Sequence, residues 1–332
     1  MESRGAPWKR ALAPAHWIGQ PPGAAEHGKW HHDAWGSVDT PGRAGLRPVV
    51  HRVTAEDRVE LALTRYAAGV THGVPVLLTH GTFSNGTVCS RLAVYLAQRG
   101  FDCWVLDLRG HGASQRDAFT PDFEAFGLLD VPAAIGAVRG HDRGEVFLIG
   151  HCAGGLAFLM HLARRPAAQR AVAGVITLAS QATGAYTTWQ GWLAGHGLQL
   201  GTALLGRSAG RAWRLGPEDE LEGVFDAWFR WNRTQRWTGS DGFDYMAALR
   251  QLAVPIWCLA GAGDRAIAPV EGCRQVYKAI GSPAKRWTVC GKAEGFTEDF
   301  GHARLIASRA AQREIWPRIK DWLLMTEMID RA

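Results

Sequence analysis

Residues 145–158, EVFLIGHCAGGLAF, join three different kinds of local sequence. An apolar run typical of a buried strand comes first, and a small-residue run typical of a closely packed helix comes last. Between them, Gly150 and Gly154 flank Cys152. Because glycine has no Cβ atom, it lets a strand and a helix approach each other closely around a sharp turn. The stretch therefore predicts a strand, a turn and a helix, with one cysteine thiol at the apex of the turn.

Strand-like and helix-like segments alternate along the chain on both sides of this turn. Apolar runs predict strands at residues 58–66, 75–79, 103–108, 172–179, 254–260 and 286–289. Helical spacing of apolar residues predicts helices at residues 87–99, 121–139, 269–280 and 304–325. Near-continuous apolar strands must be covered on both faces. The alternation therefore predicts an α/β fold with a mostly parallel central sheet flanked by helices.

Two segments break this alternation. Residues 1–50 are rich in Pro, Gly, Trp and His, and we expect them to form an N-terminal arm. Residues 181–250 carry six tryptophans and mixed charge, and we expect a helical cap whose charged side chains lie mostly in solvent. The cap would divide the core into residues 51–180 and residues 251–332.

The composition narrows the class of protein. A net charge of +6 over 332 residues, with no run of Lys or Arg, argues against nucleic-acid binding. The six cysteines include no CxxC pair, which is typical of reduced thiols rather than of a disulfide framework. The first residues lack the apolar core of a secretory signal, and no apolar stretch is long enough to cross a bilayer. We therefore expect a cytoplasmic protein without a membrane span.

Cys152 is the candidate nucleophile. The attacking species is a thiolate, which a histidine partner and a helix N-terminus both stabilise. Asp264 follows the predicted strand 254–260 in a glycine-rich turn, and His302 precedes the last predicted helix. In this order, the aspartate is expected to orient the imidazole and the histidine to carry the proton. The structural alternatives are an inert thiol, a turn aspartate and a capping histidine.

Backbone N–H groups are expected to stabilise the oxyanion that forms when Cys152 attacks a carbonyl. Ala153 directly follows the nucleophile, and Thr82, with Phe83 as the next choice, lies in the loop after strand 75–79, which His80 would hold. The candidate substrate contacts are Phe83, His151, Trp189, Trp192 and Trp228. The cap tryptophans could instead form the core of the cap itself. Both arrangements favour a bulky apolar substrate, and the chemistry needs no metal and no cofactor.

Five short stretches together resemble the α/β-hydrolase superfamily, over roughly residues 58–180 and 254–325. They are LLTHGTFSNG at 77–86, LDLRGHGAS at 106–114, GHCAGG at 150–155, GAGDRAIAP at 261–269 and FGH at 300–302. Within that superfamily, a cysteine at the turn resembles the polyhydroxyalkanoate synthases and the dienelactone hydrolases, and the stretch after His302 is similar to that of the synthases. That resemblance implies an acyl group carried on Cys152 and transferred from CoA, with Asp264 and His302 in the roles given above.

These observations predict acyl transfer, through a Cys-His-Asp triad and a thioester acyl-enzyme, to an acceptor other than water. A thioester is open to attack by amines, alcohols and thiols as well as by water. The alternative is hydrolysis of an ester, thioester or lactone by the same triad, and a third class is a non-catalytic binding module on this scaffold. The expected partner is a small acyl ester or thioester, either free or bound to CoA or a carrier protein. A homo-oligomer is compatible with the sequence.

Overall fold

The structure is a computed structural model that describes residues 46–67, 75–119, 122–141, 144–185, 200, 207–208 and 216–330. The described residues from Leu46 onward belong to one compact unit. The expected N-terminal arm therefore lies almost entirely outside the described residues. Its last residues, from Val49 onward, belong instead to the first strand of the sheet.

The described residues form an eight-stranded sheet in the order β1-β2-β4-β3-β5-β6-β9-β10. Its strands are β1 (Val49–Thr54), β2 (Glu60–Tyr66), β3 (Pro75–Thr79), β4 (Asp102–Asp107), β5 (Val146–His151), β6 (Val172–Leu178), β9 (Ile256–Gly261) and β10 (Lys285–Cys290). The neighbouring pairs β4–β3, β3–β5, β5–β6, β6–β9 and β9–β10 are all parallel. Strand β2 is antiparallel to both β1 and β4. A separate two-stranded ribbon joins β7 (Arg207–Ser208) to β8 (Glu220–Leu221). The predicted, mostly parallel sheet is confirmed.

Helices connect the strands. They are α1 (Thr87–Ala97), α2 (Phe123–Ala125), α3 (Val131–His141), α4 (Ala153–Arg164), α5 (Glu222–Thr234), α6 (Tyr245–Ala248), α7 (Val270–Ala279), α8 (Arg304–Ala307), α9 (Arg309–Glu314) and α10 (Trp316–Asp330). A π-helical turn, Phe126–Asp130, joins α2 to α3, and 3₁₀ turns span Pro166–Ala171, Leu249–Gln251 and Lys292–Glu294. No helix in the described part of the chain is long and apolar enough to cross a membrane.

The central strands are buried on both faces, which explains why their sequences are nearly continuous apolar runs. Side chains alternate across a strand, so neighbouring residues enter different cores. Leu77 belongs to the core on one face of the sheet, while Val76 and Leu78 belong to the core on the other face. Because β3, β5 and β9 run parallel, their carboxyl ends lie along one edge of the sheet. Functional groups gather at that edge in open α/β sheets.

Two predicted helices differ from the observed elements. The predicted helix 121–139 contains the π-helical turn, where Gly127 packs so closely on α4 that a Cβ atom would lie 2.8 Å from the Ala157 oxygen. The predicted helix 304–325 is divided into α8, α9 and α10. The division occurs because Ser308 is extended and its side chain accepts a hydrogen bond from the Ala311 N–H, which starts a new helix.

The described part of the expected cap is only partly a separate layer. Trp231, Trp237 and Tyr245 are fully buried in the same core as the central sheet. Helix α5 is fixed to the segment that follows β6, because the Asn232 side chain accepts a hydrogen bond from the Ala185 N–H at 2.7 Å. Trp189, Trp192 and Trp213 lie outside the described residues.

Candidate active site

Cys152 occupies a sharp turn between β5 and α4. Its backbone angles are φ 53° and ψ −118°, a region that a non-glycine residue rarely adopts and that costs about 1–3 kcal/mol. The turn is too tight for side chains at its glycines. A Cβ atom on Gly150 would lie 2.3 Å from the Gly155 nitrogen, and one on Gly154 would lie 2.6 Å from the His80 oxygen. The glycines of the motif are therefore required by packing. The strain is concentrated on the cysteine.

Cys152 also differs from the other cysteines in its surroundings. It is partly accessible, whereas Cys89, Cys103, Cys258, Cys273 and Cys290 are buried. Burial raises the pKa of Cys258 to about 11 and that of Cys290 to about 12, so these thiols stay protonated. They serve as small apolar side chains, as the sequence predicted for the cysteines within strands.

The structure brings Asp264 and His302 together beside Cys152. The His302 Nδ1–H donates to Asp264 Oδ2 at 2.5 Å, and the histidine side chain also hydrogen-bonds Cys152. The other carboxylate oxygen, Oδ1, accepts from the backbone N–H groups of Ile267 (3.2 Å) and Ala268 (3.1 Å). Because Nδ1 carries the proton given to the aspartate, the ring nitrogen left for the sulfur is Nε2.

The charges of this cluster stabilise one another. Burial lowers the pKa of His302, but the negative charges of Cys152 and Asp264, with hydrogen bonds to both, raise it to about 10. Burial alone would raise the pKa of Asp264. The positive charge and hydrogen bond of His302, with the two amide bonds, hold it below its usual value instead. The arrangement therefore favours an imidazolium at His302 hydrogen-bonded to a carboxylate at Asp264.

The loop after β3 lies directly against the sulfur. A Cβ atom on Gly81 would lie 2.5 Å from Cys152 Cβ and 3.1 Å from its Sγ. Within the described part of the chain, the backbone N–H groups of Thr82 and Ala153 donate no hydrogen bond. The Phe83 N–H, by contrast, donates to Glu220 Oε2 at 3.2 Å. Of the two sequence candidates in this loop, Thr82 is therefore the one whose amide is available.

His80 fixes the orientation of the Thr82 amide. Its Nδ1–H donates to the Gly81 oxygen at 2.8 Å, and its Nε2 accepts from the Leu108 N–H at 3.1 Å. Burial and the charge of His111 lower the pKa of His80 to about 3, so the ring stays neutral. A trans peptide is planar, with its N–H opposite its C=O. Holding the Gly81 oxygen therefore also fixes the direction of the Thr82 N–H.

His151 is buried against the loop that carries His302. Its Nε2–H donates to the His302 carbonyl oxygen at 3.1 Å. Burial, with the charge of His302, lowers the pKa of His151 to about 3. The residue, which the sequence proposed as a substrate contact, therefore supports the loop that carries His302.

The aromatic substrate candidates divide into two groups. Phe83 is 8% exposed and packs edge-on against Phe225, with Phe229 in the same small cluster. Trp228 is partly buried and stacks on Phe225 with ring centroids 5.9 Å apart. The Phe83 side chain thus joins the loop after β3 to helix α5 rather than forming an open surface. Trp189 and Trp192 lie outside the described residues.

Sequence reasoning missed the acidic residues that reach this loop from the cap. The sequence presents Glu218 and Glu220 only as charges that offset the arginines of the cap, yet they are 4% and 1% exposed. No sequence signal marks them, because their partners are more than one hundred residues away along the chain. A run of three acidic residues, 218–220, directly after Gly216-Pro217 is all that the sequence offers.

Comparison with known proteins agrees with this topology. A family model described as the alpha/beta hydrolase fold matches residues 74–215. Over 122 residues the chain is 30% identical to triacylglycerol lipase 1 of Arabidopsis thaliana, a match that covers 31% of this chain and 31% of the lipase. The chain thus spans about a third of the length of that curated relative.

Solved structures match over most of the chain. A thermophilic esterase from Thermogutta terrifontis superposes with a TM-score of 0.58 at 20% identity, covering 84% of this chain and 99% of the esterase. An esterase from Pyrococcus furiosus superposes with a TM-score of 0.55 at 15% identity, covering 90% of this chain and 96% of the esterase. The strand order, the cysteine turn and these matches together show that the chain has the α/β-hydrolase fold.

Proposed function

We propose that this protein hydrolyses small-molecule esters or thioesters through an acyl-enzyme on Cys152. The observation that carries the proposal is the continuous chain from the Cys152 sulfur to His302 and Asp264, at a strained turn where Cys152 is partly accessible. The esterase structures and the lipase similar to this chain support an ester as the substrate.

In the first half of the reaction, the Cys152 thiolate attacks the carbonyl carbon and the carbonyl π electrons move onto oxygen. The N–H groups of Thr82 and Ala153 stabilise that oxyanion, each contributing about 3–4 kcal/mol. When the carbonyl re-forms, the bond to the leaving alcohol or thiol breaks. The leaving group takes the proton from His302 Nε2, which leaves an S-acyl cysteine and a neutral imidazole.

In the second half, His302 takes a proton from water as the water oxygen attacks the thioester carbon. The same two amides hold the second oxyanion, and its collapse expels the Cys152 thiolate. The carboxylic acid leaves and the imidazolium beside Asp264 is restored. Atoms and charges balance without a metal or another co-reactant.

Acyl transfer is the second candidate, because a cysteine in place of the usual serine of this turn makes the intermediate a thioester. An amine, alcohol or thiol that attacks the thioester in place of water would convert the same site into a transferase. The acyl donor would then be an ester or a thioester, including one carried on CoA or on a carrier protein.

Mass spectrometry with a series of 4-nitrophenyl esters of increasing chain length tests the proposal. We expect a Cys152 acyl adduct, release of free acid, and loss of both in Cys152→Ala. Asp244→Asn is the matched control, because Asp244 caps α6 away from the sulfur. If added amine, alcohol or thiol is acylated at the expense of free acid, the reaction is acyl transfer rather than hydrolysis. Turnover that survives Cys152→Ala would show that Cys152 is not the nucleophile.

A further inference from the structure

Phe83 is strained and is held at both of its backbone polar atoms. Its φ is +57°, which is unfavourable for a residue with a bulky side chain. Its N–H donates to Glu220 Oε2 at 3.2 Å, and its carbonyl oxygen accepts from the Glu218 N–H at 3.1 Å. Strained backbone persists when its surroundings over-determine it. Here both of those bonds come from one cap segment, which includes β8.

Glu220 is one half of a buried ion pair. The ring nitrogens of His111 both face acceptors: Nδ1 contacts the Arg109 oxygen at 2.9 Å and Nε2 contacts Glu220 Oε2 at 3.2 Å. Two acceptors at the two ring nitrogens favour the doubly protonated imidazolium. Burial lowers the pKa of His111, but the charge and hydrogen bond of Glu220 outweigh it and the pKa is raised. The second carboxylate oxygen, Oε1, accepts from the Leu221 N–H at 3.1 Å, so the carboxylate is firmly oriented.

Glu218 fastens the same cap segment to the neighbouring loop. Its carboxylate accepts from the Asn85 side chain at 2.8 Å, from the Gly112 N–H at 3.3 Å and from Arg116 at 3.1 Å. The segment also passes very close to the loop after β3, since a Cβ atom on Gly216 would lie 2.0 Å from the Phe83 oxygen. The two acids therefore join three segments that are remote in sequence.

We propose that Glu220 is a positioning residue for the oxyanion site, acting through the Phe83 backbone on the adjacent Thr82 amide. The inference rests on the proposed function. His80 fixes the peptide before Thr82, and Glu220 fixes the peptide after it, so the conformation of Thr82 is set from both sides. The cap thus supplies a buried charge that completes the site without touching the substrate.

Two reactions of the same sulfur separate this role from a general structural one. Alkylation by iodoacetamide displaces iodide from a saturated carbon and forms no oxyanion. Acylation by a 4-nitrophenyl ester forms an oxyanion and needs the Thr82 amide. In Glu220→Ala, we expect the acylation rate constant to fall by about 10²-fold through kcat rather than KM, and alkylation to stay within about threefold. Glu220→Gln keeps an acceptor for Phe83 and should recover part of the loss.

Glu124→Ala is the matched control. Glu124 is another buried acid that accepts a backbone bond, from the Ser240 N–H at 2.6 Å, but it lies in a different part of the core. We expect it to lower the melting temperature without changing the ratio of acylation to alkylation. An unchanged ratio in Glu220→Ala, or an equal fall of both reactions, overturns the inference.

If Glu220→Ala does not fold, the ratio in Glu220→Gln decides, and a ratio equal to that of the wild type overturns the inference. If the wild-type protein is alkylated at Cys152 yet forms no acyl adduct with any ester, the proposed function fails, and this inference fails with it.

Discussion

Replacing Asp264 with Asn tests the proton chain most sharply. In the wild type, Asp264 Oδ1 accepts two backbone N–H groups and Oδ2 accepts the His302 Nδ1–H. Asparagine has only one acceptor oxygen, and the amides of Ile267 and Ala268 require it. The NH₂ group must then face His302, so Nδ1 becomes an acceptor and the ring proton moves to Nε2. That nitrogen can no longer take a proton from Cys152 or from water.

The size of the effect follows from this tautomer change. Reversing the tautomer of a triad histidine lowers turnover by about 10⁴-fold. At about 1.36 kcal/mol for each tenfold change, this corresponds to about 5 kcal/mol of lost transition-state stabilisation. Stability should also fall, because His302 loses its charged partner, although the amides of Ile267 and Ala268 keep their acceptor.

The assay is kcat/KM with a 4-nitrophenyl ester, combined with the melting temperature and ¹⁵N NMR of the His302 ring. Asp244→Asn is the control, since its Oδ1 also accepts a backbone N–H, from Ala247 at 3.0 Å, away from the sulfur. We expect a large loss only in Asp264→Asn, with the proton on Nε2. Activity within about tenfold of the wild type, at unchanged stability, would refute the orienting role of Asp264.

Three further predictions concern the same cluster. Cys152→Ala should lower the pKa of His302 measured by NMR, because the thiolate charge is lost while burial remains; an unchanged pKa would contradict the ion pair. Gly81→Ala should reduce kcat/KM by about 10²-fold, because the new Cβ would lie 2.5 Å from Cys152 Cβ and must displace the loop; wild-type kinetics would show that the loop tolerates the shift. Because the pKa of His302 is raised, its protonation stabilises the folded state. This stabilisation is fully present below about pH 6.5 and is lost as the pH rises through about 10. The free energy of unfolding of the wild type, relative to His302→Gln, should therefore decline over that range in denaturant titrations, and a constant difference would contradict the pairing.

The sequence was informative where a function depends on a short stretch of backbone. The glycines around Cys152, the turn that ends in Asp264 and the loop that carries His302 are each local, and each comes after a predicted strand. Parallel strands end at one edge of the sheet, so the three side chains were expected to meet there. The structure brings them together.

Predictions from longer or weaker patterns were less accurate. No strand was predicted at β1, and its first two residues were assigned to the arm, because its pairing with β2 is decided by the sheet and not by its own sequence. Helix 304–325 was expected to be continuous, yet Ser308 starts a new helix inside it. Trp231 and Trp237 were assigned to the cap, but they belong to the core beside the central sheet.

By itself, the sequence determined the α/β alternation, the cysteine at a glycine-lined turn, and an aspartate and a histidine in the right order behind it. Local propensity and hydrophobic period specify such features, because they act over a few residues. Only the tertiary structure decided that Glu220 is buried against His111 and holds the backbone of Phe83, 137 residues away along the chain. Burial of a charge depends on what the whole chain packs around it, and no local pattern encodes that.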